Sequence, residues 1–410
     1  SSVDRTGAPR VGIVGGGQLA RMSAAPAAAL GIHLRVLAAS ADDSAAQVIQ
    51  DVHVGAHDDL RALLHFADGC DVVTFDHEHV PPAHLEQLEA RGIAVRPGPS
   101  ALFHAQDKVH MRRALTDIGV PCPAWRVVAR GEEARDFGDE IGWPIVLKTS
   151  RGGYDGKGVW VVGDAGEAAA VLAQPLAPGV EWLAEQCIDF VQELSAQVAR
   201  SPHGQAVAYP VVRTVQRDGI CSEVVAPAPG LPAERAVQAQ QIALRIAGDL
   251  GVTGMLAVEM FDDGYDLYVN ELAMRPHNSG HWSIEGAHTS QFENHLRAVL
   301  DLPLGDPSLV APAAAMVNIL GGDVGDLYSA YRHVFARDPG LKVHLYGKDV
   351  RPGRKVGHVT AVGADPHRLL ERGRHAASVS RSRRWSCRRT GCPARWSISA
   401  VRRLVGDSRS

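Results

Sequence analysis

Strand and helix signals alternate through the first hundred residues, and that rhythm confines the segment to a parallel sheet flanked by helices. Val11–Val14 is a short apolar run, and Gly15-Gly16-Gly17 then opens an Ala-rich helix. Further strands read at Leu34–Leu37, Asp71–Phe75 and Ile93–Val95. Three glycines between a strand and a helix can receive a phosphate on the helix N-terminus. They do not make the dinucleotide fingerprint, because Ala20 stands where its last glycine belongs. Asp42 and Asp43 follow the second strand, as many solvated acids do, so an NAD-dependent oxidoreductase is disfavoured.

The remainder of the chain reads as mixed α+β. Residues 99–122 have a helical pattern, with Lys108 among polar residues and Met111, Leu115 and Ile118 on an apolar stripe. Pro121 and Pro123 end it. Two apolar runs, 143–147 and 159–162, then enclose Lys148-Thr-Ser-Arg-Gly-Gly-Tyr-Asp-Gly-Lys-Gly158. A glycine loop closing such a hairpin can fold its backbone N–H groups over an anion, with Lys148 as a fixed charge at the strand end. A solvated hairpin tip fits the same residues equally well. It is not the Walker A loop, which runs into a helix. A helix follows near 166–173 and a strand at 182–185; residues 193–200 alternate as a half-buried strand with Glu193 on the polar face. Residues 233–250 form an amphipathic helix.

Strands at 255–261 and 265–271 flank an Asp-Asp-Gly turn and carry Glu259 and Glu271. A turn over 262–266 pairs Glu259 with Val269 and leaves Glu271 diagonal to Glu259 on one face, Cβ atoms roughly 5.5–8 Å apart. Two acids on an otherwise apolar hairpin need a partner. A Mg²⁺ ion suits this spacing, with Asn270 as a further oxygen donor. Surface salt bridges are the alternative, and a register slip of one residue separates the acids. Arg275 can hold a phosphate or carboxylate bidentately. The loop Arg275-Pro-His-Asn-Ser-Gly-His-Trp282 reads as a ligand-reading loop or a turn with satisfied histidines. The cationic cluster Lys348, Arg351, Arg354 and Lys355 either holds a phosphomonoester or is a solvated turn.

Composition narrows the class. A hydrophobic content of 45% over 410 residues supports a large core and two or three domains. Residues 371–410 hold 11 Arg and 2 acidic residues, so the rest of the chain is strongly acidic behind a net charge of −4. An acidic body disfavours nucleic acid as a ligand. Six scattered cysteines with no CxxC pair suit a reduced, cytoplasmic protein. No stretch has the pattern of a signal peptide or the ~20 apolar residues of a membrane helix.

Together these segments resemble the ATP-grasp superfamily and, within it, the N5-carboxyaminoimidazole ribonucleotide synthetases. The resemblance covers about residues 10–365. Its most specific strings are His277-Asn-Ser-Gly-His-Trp282 and Arg351-Pro-Gly-Arg-Lys-Val-Gly-His358. It implies an ATP-grasp fold with a Rossmann-like N-terminal domain (10–98), an ATP-grasp domain (99–300, lid about 124–187), a small C-terminal domain (301–370) and an atypical tail (371–410). The implied reaction joins ATP, bicarbonate and 5-aminoimidazole ribonucleotide through carboxyphosphate, giving the N5-carboxy product, ADP and phosphate in purine biosynthesis. Another ATP-grasp carboxylate–amine ligase and a catalytically impaired nucleotide-binding homologue are the alternatives.

By the family pattern, ATP is held by His104, Lys108, Lys148, Gly153, Tyr154, Asp155, Gly156, Lys157, Gly158, Glu185, Gln186, Cys187, Ile188, Glu193, Gln216, Asn270 and Glu271. Glu193 matches the ribose-hydroxyl acceptor, and the strand at 185–188 reads adenine through its backbone. Glu259, Glu271 and Asn270 match the Mg²⁺ ligands. Gln18, Tyr154, Asp155, His277, Asn278, Ser279, Lys348, Arg354 and Lys355 form the ribonucleotide site. Arg275, Lys148 and Lys355 are the implied catalytic cations. A homodimer, and a mutase that takes the product onward, are also implied. Met274 replaces the family's Pro before the Arg, while His104 and Gln216 stand where Arg and His are usual. After about Leu370 the family expectation is a packed helix, whereas this chain turns Arg-, Ser- and Ala-rich, with Trp385, Cys387, Cys392 and Trp396. A basic arm, a disordered extension and a reading-frame change all fit, and the last is favoured.

Overall fold

The computed structural model describes residues 7–152, 158–217, 219–322 and 325–379. The first domain is a five-stranded parallel sheet in the order β3-β2-β1-β4-β5. Its strands are β1 (Arg10–Val14), β2 (His33–Ala38), β3 (Asp51–Val54), β4 (Val72–Phe75) and β5 (Ala94–Val95). Helices α1 (Gln18–Leu30), α2 (Leu60–Ala67) and α3 (Pro82–Glu89) connect them. β1 and β4 are nearly continuous apolar runs because helices cover both faces of such a sheet. Strand order reverses between β1 and β4, so a crevice opens at their carboxyl ends. β3 escapes sequence reading because Asp51-Val-His-Val is an edge strand with two apolar residues.

The pattern at 99–122 resolves into two helices, α4 (Pro99–Gln106) and α5 (Lys108–Asp117). Asp107 breaks them apart. Its backbone is extended, and its carboxylate accepts from the His110 N–H to cap α5. Lys108 is therefore the first residue of a helix.

The lid is an antiparallel sheet, β6-β9-β7-β8, backed by α6 (Gly131–Ile141) and α7 (Ala165–Leu172). Its strands are β6 (Trp125–Val128), β7 (Ile145–Thr149), β8 (Val159–Val162) and β9 (Trp182–Gln186). The expected hairpin is present: Lys148 pairs with Val159, and the Thr149 N–H reaches the Gly158 carbonyl at 3.0 Å. The predicted tip residues Gly153, Tyr154, Asp155, Gly156 and Lys157 lie outside the described residues. Helix α6 went unread because its sequence, Gly-Glu-Glu-Ala-Arg-Asp-Phe-Gly-Asp-Glu-Ile, buries only Ala134, Phe137 and Gly138.

A large antiparallel sheet, β15-β14-β10-β12-β13-β16-β18-β17 with β11 beside β10, joins the ATP-grasp and C-terminal domains. It comprises β10 (Gln192–Arg200), β11 (Ala206–Ala208), β12 (Val212–Arg217), β13 (Ile220–Ala226), β14 (Gly254–Asp262), β15 (Leu267–Ala273), β16 (Ala313–Leu320), β17 (Lys342–Leu345) and β18 (Lys355–Gly363). Helices α8 (Ala233–Asp249), α9 (Ser283–Gly286), α10 (Gln291–Val299) and α11 (Tyr331–Arg337) accompany it. β10 alternates in sequence, yet residues 194–199 are buried on both faces, so the half-buried reading is corrected. Helix α8 covers one face, and the other receives the 277–283 turn through Ser195 and Ser279.

The final described element, α12 (Pro366–Val379), corrects the boundary at 370. Leu369, Leu370, Ala376, Ala377 and Val379 join the C-terminal core, and Arg374 grips Glu223 through two hydrogen bonds of 2.8 and 2.7 Å. The small residues that look unpatterned in sequence let the helix sit close to β16. Residues 380–410 lie outside the described residues.

Candidate active site

The site grows from the β14–β15 hairpin. Phe261 opposes Tyr268, one residue away from the expected pairing, and a bulge lies between Glu259 and Met260. Met260 faces Val269, whereas Glu259 faces Glu271, so Asn270 is the extra residue. The slip alone would have sent the two acids to opposite faces; the bulge brings them directly opposite one another. Burial pushes Glu259 up to about 8, reinforced by the charges of Glu271 and Glu193. Lys108 Nζ lies 3.1 Å from Glu271, and His277 Nε2 lies 3.7 Å from Glu259.

This carboxylate pair is short of positive charge and fits a divalent cation. Among the described residues no three His, Cys, Asp or Glu side chains converge on one point. That donor set suits Mg²⁺, which takes one or two carboxylates and completes its shell with phosphate oxygens and water.

Lys148 reaches across from the lid. Its Nζ is 2.6 Å from Glu185 Oε2 and donates to Asn270 Oδ1 at 3.0 Å. The other oxygen of Glu185 accepts from Arg112 Nε at 2.6 Å. Arg112 is fully buried and also donates to the carbonyls of Val269 and Asn270. Burial opposes the charge on Glu185, but Arg112 and Lys148 outweigh it and hold the carboxyl at about 2. Helix α5, the lid and the bulge are thereby tied at one point. The Glu185 side chain is thus an ion-pair anchor, which leaves only its backbone for the expected adenine contact. The base of the hairpin is fixed by Arg151, whose Nε is 2.6 Å from Asp107, and by the Lys108 N–H on the Ser150 carbonyl at 2.8 Å.

Arg275 is held from the first domain, its Nε 2.8 Å from Glu78 Oε2. Burial alone would weaken its charge, but Glu78 and Asp76 keep its pKa above the ordinary arginine value. Asp76 and Glu78 follow β4 at the strand-order reversal. Asp76 Oδ1 accepts from the Ala20 N–H at 2.8 Å, so a carboxylate already caps α1. The Ala20 N–H is therefore not available to a phosphate, and a Cβ on Gly17 would sit 2.0 Å from Asp76, while Gly15, Gly16 and Gly17 line a hollow beside Asp76. The glycines there admit a protein carboxylate.

These groups line one cleft of about 1010 Å³. It gathers Gln18, Lys108, Lys148, Glu185, Gln186, Cys187, Ile188, Glu193, Gln216, Glu259, Asn270, Glu271, Arg275, His277, Asn278, Lys348 and Lys355. Phe190 and Phe261 stack on each other at 4.9 Å at its wall. Burial raises the Glu193 carboxyl, against a hydrogen bond from the Gln216 backbone. A second hollow of about 510 Å³ shares Gly17, Asp76, His77 and Lys348 with the cleft and adds Arg354.

Two expected contacts fall elsewhere. His104 stacks on His110 at 4.5 Å, where burial and that neighbour lower it to about 4, and it is not among the cleft-lining residues. Ser279 is buried beneath the cleft, bonded to Ser195 at 2.7 Å and His277 at 2.8 Å, so it orients His277 instead of facing a ligand. Asp76, Glu78 and Arg112 are absent from the sequence reading. The Asp-x-Glu pair at the end of a parallel strand was the available signal for the first two.

Comparison with known proteins places this geometry. The model of the ATP-grasp domain matches residues 113–292, that of the ribonucleotide synthetase preATP-grasp domain 9–106, and that of the phosphoribosylaminoimidazole carboxylase C-terminal domain 314–372. An N5-carboxyaminoimidazole ribonucleotide synthase of Mycobacterium bovis is 54% identical over 384 residues, covering 92% of this chain and 89% of its own. The Corynebacterium ammoniagenes enzyme of the same name is 44% identical, covering 93% and 94%. Among solved structures, the Thermus thermophilus synthetase superposes with a TM-score of 0.81 at 38% identity, over 91% of this chain and 98% of that one. The Aspergillus clavatus synthase, in complex with ADP and 5-aminoimidazole ribonucleotide, gives 0.82 at 30% identity over the same shares. The chain belongs to the N5-carboxyaminoimidazole ribonucleotide synthase family of ATP-grasp ligases.

Proposed function

We propose how this cleft performs the ATP-dependent carboxylation of 5-aminoimidazole ribonucleotide that membership of the family entails. Lys148 and Lys108 approach the phosphates of ATP from the lid and from α5, and the Phe190–Phe261 wall accepts the base. Glu193 accepts from the ribose hydroxyls. Glu259 and Glu271, with Asn270 beside them, are the residues that would hold Mg²⁺, which when bound neutralises phosphate charge. Phosphoryl transfer asks mainly for such positioning and neutralisation.

Bicarbonate oxygen attacks the γ-phosphorus and ADP leaves, giving carboxyphosphate. Arg275, fixed by Glu78, orients the transferred group through its planar fork. The exocyclic amine then bonds to the carboxyl carbon, the C–O bond to phosphate breaks, and the amine proton leaves with phosphate or solvent. Lys348, Lys355 and Arg354 hold the ribonucleotide at the other end, with His277 and Asn278 along the wall. The lid strands, through Val146, Lys148, Val159 and Val161 on the cleft wall, shield the intermediate from water. The product passes to a mutase, and the enzyme works as a cytoplasmic homodimer.

One observation carries this reading: the carboxylate pair with Arg275 and the cations Lys348 and Lys355 line a single cleft that continues into the second hollow. The test measures ADP release with ATP, bicarbonate and the ribonucleotide, each omitted in turn. Release is expected only with all three, matched by N5-carboxy product. Turnover that ignores the ribonucleotide overturns the reading.

A further inference from the structure

Three consecutive residues of the C-terminal domain are each tied to the first domain. Ser44 Oγ donates to the Tyr346 carbonyl at 2.5 Å. Gln47 Nε2 donates to the Gly347 carbonyl at 2.7 Å. Lys348 Nζ donates to Gln18 Oε1 at 2.5 Å. A fourth side chain braces the clasp from α1: Arg21 donates to the Ser44 carbonyl at 2.8 Å and to Gln47 Oε1 at 3.2 Å. Ser44 is buried, and Gln47 lies at the rim. Gly347 has φ 64°, a conformation that favours glycine, and a Cβ there would sit 2.1 Å from Gln47 Oε1, so a larger residue would displace the Gln47 amide.

The clasp is built around the second hollow. Ser44 and Gly347 both line it, next to Lys348 and Arg354. Tyr346 is anchored from behind, its hydroxyl 2.7 Å from His358 Nδ1 on β18, the strand that begins with Lys355. Where Lys348 points is therefore set by residues of another domain, more than 290 positions away in sequence.

We propose that Ser44 and Gln47 are positioning residues for the ribonucleotide: they hold the Tyr346–Lys348 turn so that Lys348 meets the phosphomonoester, and they do nothing for ATP. This rests on the function proposed above. The clasp lines the second hollow, which Lys148 and Glu271 do not line, so its loss separates the two substrates kinetically.

The test compares wild type, Ser44→Ala, Gln47→Glu and the double variant. Gln47→Glu keeps length and the contact with Arg21 but cannot donate to the Gly347 carbonyl. Each single variant is expected to raise KM for 5-aminoimidazole ribonucleotide about five-fold, the worth of one ordinary hydrogen bond. KM for ATP, kcat at saturating ribonucleotide and ADP affinity stay at the wild-type values. An unchanged ribonucleotide KM in the double variant overturns the proposal. So does a parallel loss in both KM values and kcat, which marks a merely structural contact. Wild type that ignores the ribonucleotide refutes the underlying function instead, and is read in the same assay.

Discussion

At the residue scale, charge placement decides what each side chain can do. Glu271 faces Glu259 across the bulged pair and is met by Lys108. Glu271→Gln keeps shape and removes one charge, so we expect turnover dependent on Mg²⁺ to fall below detection while circular dichroism stays unchanged; near-normal activity would reject the role of Glu271. Glu185 serves stability. Its folded pKa of about 2 lies below its ordinary 4.5. The sign follows from linkage: the carboxylate contributes fully above pH ~4.5, and the contribution is lost as pH falls toward about 2. Glu185→Gln should flatten that acid limb in melts taken across the range. Arg112→Ala leaves the carbonyls of Val269 and Asn270 and one oxygen of Glu185 without their donor, at a cost of about 3–5 kcal/mol measured by denaturant unfolding. Sequence exposed Glu259, Glu271, Lys148 and Arg275, because charges beside apolar runs and glycines stand out. Arg112 did not stand out. On an isolated helix it resembles any solvated arginine, and only the lid and β15 bury it.

At the element scale, legibility followed local pattern. The strand–glycine–helix start and the lid hairpin are periodic or punctuated, and both were found where expected. The β14–β15 register was not legible, since a bulge is a compromise between a turn at one end and packing at the other. The split between α4 and α5 rests on one capping aspartate inside a continuous helical pattern. Helix α12 is the clearest failure of pattern reading, because its buried face is Gly373, Ala376 and Ala377 beside ordinary leucines. That smallness is what the packing needs: a Cβ on Gly373 would lie 2.7 Å from Val317. Gly373→Val should therefore push the helix off β16 and lower stability by about 1–3 kcal/mol, seen as an earlier thermal midpoint. An unchanged midpoint would mean that the helix adjusts freely and that its close seat is incidental.

At the scale of the whole molecule, the site belongs to no single domain. The first domain supplies Gln18, Asp76 and Glu78, the ATP-grasp domain the carboxylates and Arg275, and the C-terminal domain Lys348 and Lys355. Two cations of the cleft are gripped across a domain boundary: Arg275 by Glu78, and Lys348 by Gln18. Such long-range ties are invisible in sequence, where Glu78 and Arg275 are separated by almost two hundred residues. With the role proposed for Arg275, they make domain arrangement part of catalysis, since an arginine must be aimed as well as charged. Glu78→Gln tests this directly. It preserves size and an acceptor oxygen but removes the charge that holds the guanidinium. In the proposed function the nucleotide is held by the lid and by β14–β15, so ADP affinity should stay within about two-fold of wild type. The carboxylation rate should fall about ten- to a hundred-fold, the loss given by a misplaced charged group at a reacting centre. If ADP affinity and rate fall together, Glu78 supports the fold of the cleft; if the rate alone falls, the first domain aims the arginine that the second one carries.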